Sequence, residues 1–493
     1  MGESRHVVEE PPRLGRLALC ALFGLVVAAL PLPDSVPVEG RHVLATFAAT
    51  ILAFLLRPMA MGPVVLAALS ALGVAETLRY KLTGVPKDKQ LLTAKDLMAG
   101  FGDSTVWLVV AAFLLAGVMV RTGLGRRIAL VLIVRLGSSM TGLARACCLS
   151  ELCLAPFLPS NTARGGGVMA PIMDSLSRAL DSEPGPTANR AGRTLMLVGA
   201  HANLITAAMF LTGMAANPLV AKAGKDILGI ELTWGRWALG AAVPGLLALA
   251  LLPHLILWLV PPELEDVAAA REEARARLTE LGPMTREQRG LGLVLLLLLG
   301  LWSTSVFHGL GTTTVAWLGL VALLVSGVQR WSDLCETPGA WDALIWLGGL
   351  VTLANKLREL GVIDWFAELV KTRVAGFQSL PPLAVLLLLV AIYHASMYGF
   401  SMLTGHILAL CGAFLTLAKG FGAPDAVSLM LFACFSNLCG CTTNYSSGPI
   451  IIYFGLGYVD SREWFRIGAI MGLFHLVVWI PAGLLWWKLL GWW

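Results

Sequence analysis

The chain has 493 residues, of which 57 % are hydrophobic and only 14 % are charged. That charged share is about half of the share in an average soluble domain, so the composition excludes an ordinary soluble enzyme. The net charge of +5 is small and scattered along the chain, which does not favour a nucleic-acid partner. At about 20 residues for each span, the length accommodates roughly 10–12 spans, and the sequence predicts a polytopic protein of the lipid bilayer.

The N-terminal part predicts a polar tail followed by three spans. Residues 1–16 are polar, and Arg13 and Arg16 come directly before the first apolar run, so the positive-inside rule predicts a cytoplasmic N-terminus. A signal peptide is the alternative, but the many later spans favour a retained first helix. The predicted elements are spans at 17–32, 42–56 and 59–78 and an interfacial connection at 79–104.

Residues 105–235 depart from a simple series of spans. A span at 105–121 precedes a basic segment at 121–137, which we expect to lie at the interface. An apolar segment at 138–158 then leads to a polar stretch, and a helix leaves through 166–180. A second apolar stretch at 194–220 is interrupted by polar residues.

The longest hydrophilic tract, 261–290, follows a span at 236–260. Its Ala, Glu and Arg content favours a helix, and its five arginines favour the cytoplasmic side. We interpret it as a solvated linker, with a regulatory or partner surface as the alternative. The later predicted elements are spans at 291–308, 312–328 and 341–360, an amphipathic connection at 361–380, a segment at 381–410, an interrupted segment at 424–459 and a last span at 464–490.

The stretch 156–171, PFLPSNTARGGGVMAP, is unlike a plain transmembrane helix. Pro159 removes a backbone donor, and the three glycines Gly165 to Gly167 weaken a helix. At membrane depth, freed backbone groups must be satisfied by protein or by a water-filled cavity. We therefore predict a broken, protein-buried segment whose polar side chains face a ligand. An ordinary loop between two helices is the alternative.

The two halves of the chain repeat this pattern. Thr162 aligns with Thr404. Two residues after each threonine, Arg164 aligns with His406. Asn203 aligns with Asn437, and the segment that follows each asparagine ends in a proline. Duplicated halves with interrupted helices are typical of secondary transporters, whose site lies between the repeats. An odd number of spans between the two copies would invert the second copy.

Four motifs together resemble those of the divalent anion/sodium symporter family, and more closely its bacterial exchangers of 2-oxoglutarate, malate, citrate and succinate. The motifs are PSNTARGG (159–166), NLITAAMFLTGMAANPL (203–219), TGHILAL (404–410) and FSNLCGCTTNYSSGPIIIYFGLGYV (435–459). The resemblance covers roughly residues 40–490 and implies carboxylate substrates, a homodimer and an inner-membrane location. It also implies an all-α elevator transporter with about 11 transmembrane helices, two re-entrant hairpins and two broken helices in an inverted repeat.

The resemblance also implies a division into scaffold and transport domains. The scaffold would comprise 17–104, 236–328 and the C-terminal helix 460–493. The transport domain would comprise 105–235 and 341–459, each with one hairpin and one broken helix. The tail 1–16 and the linker 261–290 would be cytoplasmic.

The second hairpin departs from the family's sodium-binding pattern. Sodium-coupled members carry Ser-Asn-Thr at both hairpin tips, and the first copy, Ser160-Asn161-Thr162, is intact here. The second copy is Met402-Leu403-Thr404, in which two side chains lack the hard oxygens that Na⁺ prefers. This difference favours exchange over sodium symport. The sequence contains no zinc-ligand spacing and no enzyme motif, so it predicts no metal or other cofactor.

The charge of the substrate suggests how exchange would work. A dicarboxylate brings about −2 into the membrane, where unpaired charge is costly. We expect Arg164 and His406 to serve as fixed counter-charges, with the guanidinium forming a bidentate contact to a carboxylate. The alternatives are a snorkelling arginine and a core histidine bonded to a carbonyl group.

The predicted contacts to substrate share a location at a hairpin tip or at a helix interruption. They are Ser160, Asn161, Thr162, Arg164, Asn203, Thr206, Asn217, Pro218, Thr404, His406, Asn437, Thr442, Thr443, Asn444, Ser446, Ser447, Gly448 and Pro449. For any single Ser or Thr, helix packing is as good an interpretation as substrate contact. The sequence therefore predicts an exchanger of di- or tricarboxylates. The alternatives are a sodium-coupled symporter, a transporter of other anions such as sulfate, and a channel or sensor.

Overall fold

The computed structural model describes residues 11–264, 266–374 and 380–493, and every regular element within these ranges is a helix. This confirms the predicted all-helical class. Eight of the described helical segments are long and apolar enough to cross a membrane. They are Val38–Leu56, Met61–Thr83, Ser104–Thr122, Trp234–Leu259, Pro382–Gly399, Leu403–Gly420, Asp425–Thr442 and Ser461–Leu489.

The chain forms two compact units. The first is drawn from the described parts of Met1–Trp107 and Gly339–Arg373, and the second from those of Leu108–Pro338 and Val374–Trp493. The helices of the first unit are Leu14–Ala28, Val38–Leu56, Met61–Thr83 and Ala94–Met98, together with nearly all of Pro338–Glu359 and Val362–Val374. The predicted connection at 361–380 is thus helical over most of its length, and 375–379 lie outside the described residues.

A charged network joins two helices of the first unit. Glu39 at the beginning of Val38–Leu56 and Glu76 near the end of Met61–Thr83 are both buried. Arg79 donates to both carboxylates, and Tyr80 adds a hydroxyl bond to Glu39 at 3.1 Å. Buried carboxylates are tolerated when they are paired and hydrogen-bonded in this way.

The second unit contains the two repeats and the linker. Its helices before the gap at 375–379 are Leu124–Leu136, Met140–Leu154, Ala170–Ala179, Gly192–Met209, Asn217–Ala223, Trp234–Leu259, Ala268–Glu280, Arg286–Ser303, Ser305–His308, Thr312–Val325 and Trp331–Cys335, and it takes most of Ser104–Thr122. After the gap they are Pro382–Ala395, Leu403–His406, Gly412–Gly420, Asp425–Leu438, Gly448–Gly455 and Ser461–Leu489. The predicted linker helix is present as Ala268–Glu280.

Each repeat begins with a helical hairpin. In the first hairpin, Met140–Leu154 is joined by residues 155–160 to a helix that continues from 161 to 179. In the second, Pro382–Ala395 is joined through 396–402 to a helix that continues from 403 to 420. Both outgoing helices contain a wide π-type turn, at Thr162–Met169 and at Ile407–Cys411. Such turns are rare and often mark functional positions.

Each repeat continues with an interrupted helix. In the first, Gly192–Met209 stops, a short 3₁₀ turn covers Leu211–Gly213, and the helix resumes at Asn217. In the second, Asp425–Leu438 is followed by a 3₁₀ turn at Cys439–Thr442, and the helix resumes at Gly448. Both resumed helices carry a proline in their first turn, where its missing N–H costs no hydrogen bond. The repeated pattern predicted from sequence is therefore present, whereas its inversion and the scaffold and transport domains stay predictions.

Candidate substrate site

The intact Ser-Asn-Thr motif lies where the outgoing helix of the first hairpin begins. The hydroxyl of Ser160 accepts from the backbone N–H of Ala163 at 3.1 Å, as a helix-capping residue does. Thr162 is exposed, and Asn161 is 9 % exposed. The first backbone N–H groups of a helix lack intrahelical partners and favour an anion.

The break predicted in the stretch 156–171 lies at its beginning, beside Pro159, and the three glycines do not break the helix. The interruption lies earlier, at 155–160, and Gly165 to Gly167 belong to the wide turn. Two of them permit close packing. A Cβ at Gly165 would lie 2.7 Å from Nδ2 of Asn203, and one at Gly166 would lie 2.2 Å from Cδ1 of Ile452. The glycines therefore bring this helix against both interrupted helices.

The same close approach brings the two repeats together at the predicted site. A Cβ at Gly448 would lie 2.1 Å from the hydroxyl oxygen of Thr162. The beginning of helix Gly448–Gly455, in the second repeat, therefore lies against the beginning of the outgoing helix of the first hairpin. Two helix N-termini, one from each repeat, meet here, and backbone N–H groups at such ends suit a carboxylate.

Arg164 is fully buried, at 0 % exposure, and all five of its N–H donors are used within the protein. Its Nε donates to the Glu151 carboxylate at 2.6 Å. Its remaining acceptors are the backbone oxygens of Leu158 (2.8 Å), Gly213 (2.9 Å) and Asn203 (3.2 Å) and the hydroxyl of Thr206 (3.4 Å). We call these oxygens, with that of Glu151, the Arg164 cage. The expected bidentate contact to substrate has no free donor in this arrangement, which corrects that detail of the prediction.

Glu151 is the residue that sequence reasoning missed. It is 0 % exposed and also accepts from Nδ2 of Asn203 at 3.1 Å. It lies in the segment Cys147–Leu158, in which it is the only charged residue. A carboxylate inside an apolar membrane segment is by itself a sign of function, and this signal could have identified Glu151.

His406 occupies the corresponding place in the second hairpin and is also fully buried. Its Nε2 lies 3.1 Å from the carbonyl oxygen of Tyr393 and 2.8 Å from the hydroxyl of Ser396. The ring packs on Tyr393, with centroids 4.3 Å apart, and edge-on against Phe400. Like Arg164, His406 therefore ties an outgoing helix to the other parts of its hairpin.

Several predicted contacts have partners inside the protein. Thr442 donates to the Cys439 carbonyl at 2.9 Å, and Ser446 donates to the Gly440 carbonyl at 2.5 Å. Asn444 donates to the Ser461 hydroxyl at 3.0 Å. These side chains stabilise the second interruption. Thr206 and Asn217 serve the first interruption in the same way.

Other predicted contacts carry buried polar atoms that make no hydrogen bond within the described protein. These atoms are Nδ2 of Asn161, Oδ1 of Asn203, Oδ1 of Asn437, Oγ1 of Thr443 and Oγ of Ser447. Buried polar atoms are normally paired, because an unpaired one is costly. These atoms lie at the hairpin tip and along the two interrupted helices, where they remain available to a polar ligand. Thr404 lies at the beginning of Leu403–His406 and is half-buried, and the N–H of Leu403 donates to the Ser446 carbonyl at 2.9 Å.

A cavity of about 470 Å³ lies beside the tip of the first hairpin. Ser160 and Ala163 line one side of it, and Arg121 and Asp333, which form an ion pair at 3.1 Å, lie on the other. The cavity lies within the second unit.

Comparison with known proteins identifies the family. Residues 13–493 match the sodium:sulfate symporter transmembrane region. The chain is 39 % identical over 482 residues to the putative malate transporter YflS of Bacillus subtilis, covering 98 % of this chain and 97 % of that protein. It is 35 % identical over 473 residues to the chloroplastic dicarboxylate transporter 1 of Spinacia oleracea, covering 96 % and 80 %. It is 33 % identical over 485 residues to the inner membrane protein YbhI of Escherichia coli, covering 97 % and 98 %.

A solved structure supports the fold. The YdaH transporter of Alcanivorax borkumensis superposes with a TM-score of 0.57 over 85 % of this chain and 90 % of that one, at 14 % sequence identity. This likeness concerns the fold alone. The match over nearly the whole chain, together with the full-length relatives, shows that the protein belongs to the divalent anion/sodium symporter family.

Proposed function

We propose that the protein is a secondary transporter that exchanges di- or tricarboxylates across the bacterial cytoplasmic membrane without sodium. The observation that carries the proposal is the meeting of two helix N-termini, at Asn161 and Gly448, beside the unpartnered amide of Asn161 and hydroxyl of Ser447. Backbone N–H, hydroxyl and amide donors are the groups that bind carboxylate oxygens. The names of relatives, which include malate and dicarboxylate transporters, support the same substrate class.

The Arg164 cage supports sodium independence. Carbonyl and hydroxyl oxygens from a hairpin tip and a helix interruption would suit a hard cation such as Na⁺. Here the Arg164 guanidinium donates to those oxygens with all five N–H groups. A cationic side chain of the protein thus takes the place that a bound sodium ion would have. A cation that cannot dissociate holds the tip of the hairpin in place whether or not sodium is present.

His406 supports the same proposal in the second hairpin. Met402 and Leu403 replace the hard side chains of a sodium motif, and the imidazole instead bonds to the Tyr393 carbonyl and Ser396 hydroxyl. We propose that Arg164 and His406 act as fixed counter-charges through the hairpins that they hold, rather than by direct contact with substrate. An elevator movement of the two repeats, in a homodimer, would carry the site across the membrane.

A sodium-coupled symporter is the second candidate. The intact Ser160-Asn161-Thr162 motif favours it, because hydroxyl and amide oxygens are the kind of hard ligand that Na⁺ prefers. The family's description as sodium:sulfate symporters also keeps sulfate as a possible substrate.

A counterflow screen in proteoliposomes tests the proposed substrate class. Vesicles loaded with unlabelled succinate are offered labelled succinate, malate, fumarate, 2-oxoglutarate, tartrate, citrate or sulfate, and protein-free vesicles serve as the control. We expect uptake of at least one carboxylate to exceed sulfate uptake. Sulfate uptake without carboxylate uptake would contradict the proposal.

A further inference from the structure

We propose that Glu151 takes up a proton when the site binds a carboxylate dianion, so that exchange by this protein is linked to protons. The inference rests on the proposed function, and it concerns a residue that lies behind the site. Glu151 acts through Arg164 and Asn203, and it is therefore a positioning residue that also sets the charge of the hairpin.

Glu151 cancels the charge of Arg164 when it is ionised. The two side chains are both 0 % exposed and are joined by an Nε–Oε2 contact of 2.6 Å. Asn203 donates to the same carboxylate, and the Thr206 hydroxyl lies 3.4 Å from it. With Glu151 ionised, the pair is neutral, and the first hairpin offers no net positive charge to an anion.

The charges at the site balance only when Glu151 is protonated. A dianion brings −2, a protonated His406 would supply at most +1, and the ionised Arg164–Glu151 pair supplies nothing. One negative charge then remains uncompensated in a buried site, which is strongly unfavourable. If Glu151 is protonated, Arg164 contributes +1 and the sum becomes zero.

A short hydrogen-bonded connection joins Glu151 to the site. The backbone oxygen of Asn161 accepts from Nδ2 of Asn203 at 3.2 Å, and the same nitrogen lies 3.1 Å from Oε2 of Glu151. A bound anion at the beginning of the helix therefore lies near a second, buried negative charge. Like charges disfavour each other's ionised form, so anion binding favours the protonated carboxyl group.

The other titratable groups around Glu151 do not supply the missing charge. Cys147 and Cys148 precede it on the same helix, and Tyr453 approaches it from Gly448–Gly455. All three are neutral when protonated. On neighbouring helices, His254 contacts Arg145, and Arg127 donates to the backbone oxygens of 281–283, so these groups are engaged with partners other than Glu151.

Protonation of Glu151 requires only a proton from the solvent. A proton from water or buffer on the side where the anion enters forms an O–H bond on the Glu151 carboxylate, and no covalent bond breaks within the protein. When the anion leaves on the opposite side, the same proton returns to water there. Each dianion that crosses is thus accompanied by one proton.

Proton uptake by the purified full-length protein tests the inference. Wild-type protein in detergent, in weak buffer with a pH indicator, receives succinate adjusted to the same pH, above the range in which succinate itself titrates. We expect alkalinisation corresponding to as much as one proton for each protomer that binds succinate, and none for E151Q. The matched control E273Q removes an ion-paired glutamate from the linker helix and should behave as wild type.

Infrared difference spectroscopy on the wild type keeps the inference testable if E151Q does not fold. Succinate binding should produce the C=O band of a protonated carboxyl group, which no histidine can produce. Absence of this band, absence of proton uptake by the wild type, or equal uptake by wild type and folded E151Q would overturn the inference.

Exchange assays distinguish an incorrect role for Glu151 from an incorrect proposed function. In proteoliposomes, the apparent affinity of the wild type for succinate should fall by up to about tenfold for each pH unit of increase, because one bound proton is linked to one anion. E151Q should exchange with little pH dependence. Exchange by the wild type that is independent of pH would overturn only the role of Glu151. Absence of carboxylate exchange at any pH would overturn the proposed function itself.

Discussion

Asn437 donates a hydrogen bond to Oδ1 of Asn217 at 2.9 Å and thereby joins the interrupted helices of the two repeats. The amide of Asn217 in turn donates to the carbonyl oxygens of Ala207 and Phe210, both at 2.9 Å. One side chain thus satisfies the free end of Gly192–Met209 and receives a bond from the other repeat. The two interruptions are therefore held as one structure.

Replacing Asn217 tests this connection. N217A leaves two carbonyl oxygens without their donor, and each unsatisfied buried group costs about 1–3 kcal/mol. We expect a clear decrease in thermal stability in detergent. The control N189A alters an asparagine away from the interruptions and should have little effect. Equal melting temperatures for N217A and wild type would show that the connection contributes nothing to stability.

Ser446 and Ser447 are neighbours with different predicted roles. The Ser447 hydroxyl has no partner within the described protein, whereas the Ser446 hydroxyl donates to the Gly440 carbonyl. S447A should weaken substrate binding about tenfold or more, because a hydrogen bond to a charged group contributes about 1.5–3 kcal/mol. Binding titrations with the screened carboxylates, alongside melting temperatures, check this expectation. S446A should mainly lower stability, and the reverse pattern would contradict the assignment.

Gly165 and Gly167 provide a matched pair on one helix. A Cβ at Gly165 would lie 2.7 Å from Asn203 and 3.0 Å from Cβ of Pro449, whereas one at Gly167 would meet nothing within 4 Å. G165A should therefore destabilise the protein by about 1–3 kcal/mol through overpacking and reduce exchange. G167A should preserve both, since alanine favours a helix more than glycine does. Similar results for the two variants would indicate that the close approach is not required.

The linker helix should lose a contact in acid. Hydrogen bonds from Arg277 and Ser175 lower the pKa of Glu273 below its usual value, and Ser175 belongs to the outgoing helix of the first hairpin. A lowered pKa means that the contact contributes stability above the ordinary pKa of glutamate, and that this contribution is lost as the pH falls through the lowered value.

Hydrogen exchange measures whether the linker helix loses stability as the pH falls. Protection factors in Ala268–Glu280 should decrease between neutral and strongly acidic pH in the wild type, and the decrease should be smaller in E273Q. The control E272Q alters a neighbouring glutamate that pairs with Arg275 on the exposed face. A decrease of equal size in wild type and E273Q would exclude Glu273 as its source.

Much of the architecture could be predicted from the sequence. The apolar runs, the two polar interruptions and the alignment of Arg164 with His406 indicated a duplicated transporter, and the prolines Pro218 and Pro449 marked where each interrupted helix resumes. The break in the first hairpin lies at 155–160, at the Pro159 end of the stretch that the sequence predicts to be broken. The glycines at the other end do not interrupt the helix, and Gly165 and Gly166 pack against Asn203 and Ile452 within a wide helical turn.

The charge of the site was harder to predict. The sequence identifies Arg164 as a cation but does not show which group neutralises it, because Glu151 lies 13 residues earlier in a mostly apolar segment. Only folding of the hairpin brings the two side chains together. The unpartnered atoms of Asn161, Thr443 and Ser447 likewise depend on which neighbouring hydroxyls and amides find a partner, and local sequence does not specify that.

The sodium requirement of exchange tests the central claim most directly. Proteoliposomes containing the wild type are loaded with succinate or left empty, and uptake of labelled succinate is measured in sodium-containing and in sodium-free medium. We expect rapid uptake only into loaded vesicles, at the same rate in both media, because the proposed counter-charges are side chains of the protein and not bound sodium ions. Uptake into empty vesicles that requires sodium would contradict this account and favour the symporter.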